Sequence, residues 1–278
     1  MRGFRTIAEF RAWRGTIDGT LGLVPTMGYL HEGHLSLVRA SKRESAHTAV
    51  WIFVNPTQFG PSEDLSRYPR DEARDLALLE AEGVDAVLAP SADEVYPAGF
   101  STFVTVEGLT ARLEGASRPT HFRGVTTVVL KLLNMTRPDR VYFGRKDAQQ
   151  LAVVRRMVRD LDVPVEIVGM PIVREPDGLA LSSRNVYLTP EQRSAALVLS
   201  RSIRLAEALY ADGERDANII RTRLEATIAT QPLAAIDYVS VADTETLDEI
   251  SRVDGAALVS LAVRFGDTRL IDNTTLGS

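Results

Sequence analysis

The chain has 278 residues, 45% of them hydrophobic, which is enough for one large domain or two unequal ones. It contains no cysteine, which excludes disulfides, thiolate metal sites and a cysteine nucleophile and suits a reducing compartment. The net charge of −5, from 32 Lys+Arg against 37 Asp+Glu, gives no general attraction to nucleic acid.

Met1 to Thr6 leads into charged, helix-like sequence without the apolar run of a signal peptide, and no later stretch has a membrane-spanning character. The expectation is a soluble, cytoplasmic protein without membrane association. After this amphipathic opening, Leu21 to Met27 reads as a buried strand ending at Gly28, and the apolar spacing turns helical from Leu35 to Ser41. Ala49 to Val54 is a continuous apolar run, as a central parallel strand covered on both faces requires. Pro69 opens a predicted helix from Arg70 to Ala81, Gly83 stops it, and Val84 to Ala89 is the next strand. A helix from Gly124 to Met135, a strand from Arg140 to Phe143, a helix from Ala148 to Leu161 and a strand from Val163 to Val168 continue the alternation.

Such alternation predicts an α/β protein with a Rossmann-like open, mostly parallel sheet, whose ligands lie beyond the carboxyl ends of the strands. After about Val173 the texture changes. Helices are expected from Pro190 to Tyr210 and from Ala217 to Thr230, with β-rich runs at Ala235 to Val241, Ala257 to Arg264 and Thr268 to Ile271, the last two joined by a Gly266-Asp267 turn. The expected division is a domain of residues 1–173 and a smaller C-terminal α+β domain of residues 174–278.

The segments with unusual composition fall where strands end. In Pro25 to His34, two histidines three apart, His31 and His34, stand at the start of a helix whose free amides favour negative charge, flanked by Gly28 and Gly33. Together these could hold a polyphosphate; the alternatives are a capped, decorated helix end or, lacking an evident third ligand, a zinc site. The pair is read as exposed. Asn55 and Gln58 follow the second strand and offer donors and acceptors for hydroxyl or carboxylate groups, with an ordinary Asn-Pro turn as the alternative for Asn55. Phe59 is read as packing, and Gly60 to Arg67, ahead of Tyr68, as a mobile cover or an exposed loop.

Arg118 to Gly124 carries His121 ahead of an apolar helix, and is read either as an anion site or as a surface turn. In Phe143 to Gln150, Lys146 can meet a phosphate, Asp147 can cap the helix or orient a substrate, and Gln150 shares the face of Lys146. Ser182, Ser183 and Arg184 could grip phosphates, or form a capped interdomain loop; no G-x-S-x-G elbow surrounds either serine. The chain has neither a G-x-x-x-x-G-K-[ST] loop nor a G-x-G-x-x-G turn at its first strand-helix junction, so an ATP site must use other phosphate contacts.

Five ordered blocks, Pro25 to His34, Phe53 to Phe59, His121 to Gly124, Phe143 to Gln150 and Asp177 to Asn185, resemble the pantothenate synthetase (pantoate–beta-alanine ligase) family over nearly the whole chain. The histidine motif alone would mark only the wider HxGH nucleotidyltransferase superfamily. The resemblance implies an AMP-forming carboxylate–amine ligase that condenses pantoate with beta-alanine through an enzyme-bound pantoyl adenylate, with ATP as substrate and Mg2+. It further implies catalytic His31, His34, Lys146 and Arg184; ATP contacts from these and from Met27, Asp147, Ser182 and Ser183; and pantoate contacts from Gln58 and Gln150, supported by Asn55. Tyr68 would belong to a flap and His121 to the second-substrate side. Residues 1–173 would bind nucleotide and pantoate, residues 174–278 would be a lid, and the molecule would be a homodimer.

Overall fold

The computed structural model describes residues 1–61 and 63–277. Its larger sheet is built from β1 (Arg2–Phe4), β2 (Leu21–Thr26), β3 (His47–Ile52), β4 (Ala86–Leu88), β5 (Arg140–Gly144) and β6 (Glu166–Met170). Their order is β1-β4-β3-β2-β5-β6, and every pairing is parallel. Between the strands run α1 (Ile7–Arg14), α2 (Glu32–Glu44), α3 (Glu72–Ala81), the short α4 (Ala92–Val95) and α5 (Glu114–Ser117), α6 (His121–Thr136) and α7 (Ala148–Asp160). The continuous apolar strands are explained by burial on both faces. Leu23 and Ala49 join the core containing Phe10, Trp13 and Leu132, whereas their neighbours Val24 and Val50 join the opposite one with Leu37, Val38 and Leu79.

The second unit has α8 (Pro190–Ala211) and α9 (Ala217–Ala229) against an antiparallel sheet of β7 (Ala234–Asp243), β8 (Ala257–Phe265) and β9 (Thr268–Leu276). A reciprocal capping box between Thr189 and Gln192 starts α8, with Pro190 at its first position. The two units meet through Arg269 of β9, whose guanidinium donates to both oxygens of Glu114 on α5 at 2.6 and 2.7 Å.

Several boundaries differ from the sequence expectation. The second helix begins at Glu32, not Leu35, because His31 caps it, and α3 begins at Glu72 because Asp71, not Pro69, sets its start. The sixth helix begins at His121 rather than Gly124. Gly124 is instead a point of close approach, since a Cβ there would lie 2.3 Å from the Thr57 carbonyl oxygen. Strand β1 and helices α4 and α5 were not expected; three or four residues are too few to show a period.

The sheet opens where its topology reverses. Strands β2 and β3 stay in register over six residue pairs, whereas β2 and β5 pair only through Gly22–Arg140 and Leu23–Val141, near their amino ends. Beyond those pairs the carboxyl ends of β2 and β5 are no longer joined, which is the crevice where doubly wound sheets bind ligands.

Candidate functional site

A cavity of about 250 Å3 lies at this crevice, and every site residue expected from the sequence lines it: Met27, His31 and His34 after β2, Asn55, Gln58 and Tyr68 after β3, His121 on α6, Lys146, Asp147 and Gln150 after β5, and Ser182, Ser183 and Arg184.

The histidine turn is shaped from outside. Gly28 and Tyr29 both have positive φ, 82° and 52°, which reverses the chain after β2. Asp75 on α3, 1% exposed, accepts from the Tyr29 and Leu30 amides at 2.7 Å each, and Arg74 donates to the Leu30 carbonyl at 2.9 Å. Burial outweighs these amides and raises the Asp75 carboxyl above its ordinary value. Sequence reasoning passed over Asp75, although an acid four residues before buried Leu79 on one helical face was a signal of a partnered carboxylate.

His31 and His34 are half-buried rather than exposed, with ring centroids 4.1 Å apart. Capping and cavity lining turn out to be compatible. The Gly33 amide donates to His31 Nδ1 at 3.1 Å, and the His31 amide donates to His34 Nδ1 at 3.3 Å. An Nδ1 that accepts carries no proton, so each neutral ring carries its hydrogen on Nε2. Burial, then the charges of Lys146 and Arg74, lower the His31 pKa to about 4. Burial, His31 and Lys146 push His34 well below its ordinary value. Both rings are therefore neutral hydrogen-bond donors at neutral pH, not cations. Among the described residues no group of three or more His, Asp or Glu side chains is placed to hold a metal ion.

Asn55 is neither turned to water nor free for a ligand. It is 1% exposed; its Nδ2 donates to the Gly124 carbonyl and to Gln58 Oε1, while its Oδ1 accepts from the Thr57 amide and hydroxyl and from Tyr96 Oη. The side chain is held among its neighbours, so the alternative of an Asn-Pro turn facing water does not hold. The Gly124 carbonyl can only accept and the Thr57 amide can only donate, so the Asn55 amide has one orientation, which in turn orients Gln58. Gln58 Nε2 then points to Met27 Sδ at 3.3 Å.

His121 is buried in the first turn of α6, not on a surface turn. Its Nδ1 donates to the Gln58 carbonyl at 2.9 Å and its Nε2 accepts from Arg118 at 3.3 Å, the opposite tautomer from the paired histidines. Burial, then Arg118, lowers its pKa to about 4.

Lys146 lies on a short 3-10 turn, Arg145–Asp147, leading into α7. Asp147 occupies the capping position but makes no capping bond, contrary to one of its expected uses. The next turn separates two adjacent glutamines: Gln150 lines the cavity, while buried Gln149 ties the Leu109 and Arg112 carbonyls and the Glu114 amide together.

Ser182 Oγ accepts from the Arg184 amide and so caps the turn that carries the arginine. Arg184 pairs with Asp64 through Nε–Oδ2 at 2.9 Å and Nη2–Oδ1 at 3.0 Å. Burial opposes ionisation of Asp64, but the Arg184 hydrogen bonds and charge outweigh it and hold the carboxyl below its ordinary value. Arg118 pairs likewise with Glu63. The segment before Tyr68 is thus tied to both sides of the cavity, and Tyr68 is itself buried against Phe59, with Arg184 5.7 Å from its ring centroid.

The model of a family described as pantoate-beta-alanine ligase matches residues 2–275. The chain is 62% identical to the pantothenate synthetase of Roseiflexus castenholzii over 276 residues, 99% of both chains, and 56% identical to that of Acetivibrio thermocellus, 98% of both. Among solved structures, pantothenate synthetase from Thermus thermophilus superposes with a TM-score of 0.94 at 50% identity, covering 99% of each chain. Pantoate-beta-alanine ligase from Francisella tularensis, complexed with beta-gamma ATP and beta-alanine, superposes with a TM-score of 0.82 at 33% identity, covering 99% of this chain and 97% of that one.

Proposed function

The chain belongs to the pantoate-beta-alanine ligase family, and from that premise we propose that it forms pantothenate in two steps within this one cavity. A pantoate carboxylate oxygen first attacks the α-phosphorus of ATP, the bond to the bridging oxygen breaks, and diphosphate leaves. The amine nitrogen of beta-alanine then attacks the acyl carbon of the pantoyl adenylate, loses a proton, and expels AMP. Activation is needed because a free carboxylate would have to expel oxide.

The observation that carries this reading is the meeting of two neutral imidazole donors with Lys146 and Arg184 at the switch point of the sheet. During attack on phosphorus, negative charge moves toward the departing diphosphate, and fixed donors aimed there lower the barrier. His31 and His34 supply Nε2 hydrogens whose direction is set by backbone amides. Lys146 and Arg184 supply charge, and Ser182 and Ser183 add hydroxyls. Gln58 and Gln150 hold pantoate, with Asn55 fixing Gln58, and Met27 packs beside the reacting groups. His121 and Tyr68 face the second-substrate side and the covering segment, which shields the mixed anhydride from water.

Magnesium fits as a companion of the nucleotide rather than as a protein-built centre. Asp147 places a carboxylate without a capping bond on the cavity wall, and Mg2+ commonly needs only one or two carboxylates beside substrate phosphates and water. Asp147 would reach the ion, which when bound neutralises phosphate charge.

Residues 1–173 serve in this proposal as the nucleotide- and pantoate-binding domain and residues 174–278 as the lid carrying Arg184. The division is supported by β6 ending at Met170 and by Arg174 pairing with Asp272 on β9. A homodimer and a cytoplasmic location come with the family reading. No helix among the described residues is long and apolar enough to cross a membrane. Incubation with ATP, Mg2+, pantoate and beta-alanine should yield pantothenate and AMP in equal amounts by mass detection. Transfer of AMP without an amide product would contradict the proposal.

A further inference from the structure

The turn bearing Lys146 starts at Gly144, which has no side chain to cap it, and Asp147 at its end makes no capping bond to α7. It is held instead from the other unit. Asn273 of β9, 7% exposed, donates Nδ2 to the carbonyl of Arg145 at 3.0 Å and to that of Lys146 at 2.7 Å. Two successive carbonyls bound by one amide fix the backbone plane from which the lysine side chain departs.

Asn273 is anchored in turn. Its backbone amide donates to Asp272 Oδ1 at 2.8 Å, and Asp272, 1% exposed, is gripped by Arg174 at 2.6 and 2.9 Å. Arg174 also donates to the Gly178 carbonyl at 3.1 Å. An unbroken series of hydrogen bonds therefore runs from the base of the segment carrying Ser182 to Arg184, through β9, to the Lys146 backbone.

The geometry points to Asn273 as a positioning residue for Lys146. It touches no reacting group; it sets where the ammonium stands and couples that position to the second unit. The chemistry demands a carboxamide, since an aspartate of the same size would turn acceptors toward two carbonyl oxygens. The inference rests on the proposed role of Lys146 toward ATP phosphates.

The test compares Asn273→Ala, Asn273→Asp, Asn273→Ser, Lys146→Ala and the double variant Asn273→Ala/Lys146→Ala, in single-turnover adenylate formation and in the KM for pantoate. Asn273→Ala and Asn273→Asp should each slow adenylate formation by roughly tenfold to a hundredfold, because a displacement of about an ångström has effects of that order. Asn273→Ser, which keeps one donor, should fall between these variants and the parent, and serves if the others fold poorly. The KM for pantoate should stay near the parent value. In the Lys146→Ala background, Asn273→Ala should cost no more than about a further twofold, because residues acting through one group are not additive. Asn273→Asp at the parent rate, or an effect of Asn273→Ala that persists undiminished in the double variant, would overturn the inference while leaving the role of Lys146 intact. A parent-like rate for Lys146→Ala alone would show that the role of Lys146 has failed, and this inference with it.

Discussion

Arg184 and Asp64 lie 120 residues apart in the chain and meet through two parallel hydrogen bonds at 2.9 and 3.0 Å. A phosphate approaching that guanidinium competes with a carboxylate from the segment before Tyr68. Asp64→Asn, which keeps the shape and removes the charge, should therefore tighten ATP binding by about two- to fivefold, the scale of a partly exposed ion pair. Calorimetric titration with ATP reads this directly, and unchanged or weaker binding would show that the pair does not compete with phosphate.

The paired histidines act in the account as neutral donors. His34→Ala should slow adenylate formation by roughly 10²- to 10³-fold, the cost of removing one preorganised donor from a developing anion. His34→Gln, whose terminal amide can reach the place of Nε2, should recover part of that loss. Because the His31 pKa is lowered to about 4, the rate should show no titration of this pair near pH 6.5. A pH-rate profile with a protonated histidine required for activity would count against the assignment.

Asn55 and Gln58 should separate by the kind of damage they cause. Gln58→Ala removes a ligand-facing amide and should raise the KM for pantoate with little loss of stability. Asn55→Ala leaves buried partners on Thr57, Gly124 and Tyr96 unpaired and should cost about 1–3 kcal/mol of stability besides weakening pantoate use. Urea unfolding beside pantoate titration distinguishes them; equal stability in the two variants would remove the supporting role of Asn55.

His121 predicts an acid sensitivity of the fold. Its ordinary pKa of 6.5 is lowered to about 4 by burial and by Arg118, so between these values the unfolded chain binds a proton that the folded one refuses. Stability is thus fully present above pH 6.5 and is lost as pH falls toward 4, by up to about 3 kcal/mol from this residue. Substitution by Asn should flatten that part of the stability profile. Parallel slopes for parent and His121→Asn would refute the linkage.

The fold was legible in the sequence where period and run length carry information. The continuous apolar run from Ala49 to Val54 pointed to a strand covered on both faces, and Gln150 was separable from Gln149 by its spacing from Lys146. Burial and pairing across long separations were not legible. Nothing local in Asn55-Pro56 tells that Tyr96 and Gly124 will enclose the asparagine, or that Asp64 will find Arg184. Asp75 left a trace, an acid on an apolar helical face, whereas Asn273 left none, because its partners are backbone carbonyls of another unit.

The most direct test of the central claim omits beta-alanine. Mixing the protein with ATP, Mg2+ and pantoate and quenching within one turnover should release one diphosphate per active site and leave bound pantoyl adenylate, detectable by mass. Later addition of beta-alanine should convert that adenylate to pantothenate and AMP. Diphosphate release that waits for beta-alanine, with no adenylate on the protein, would contradict the two-step account.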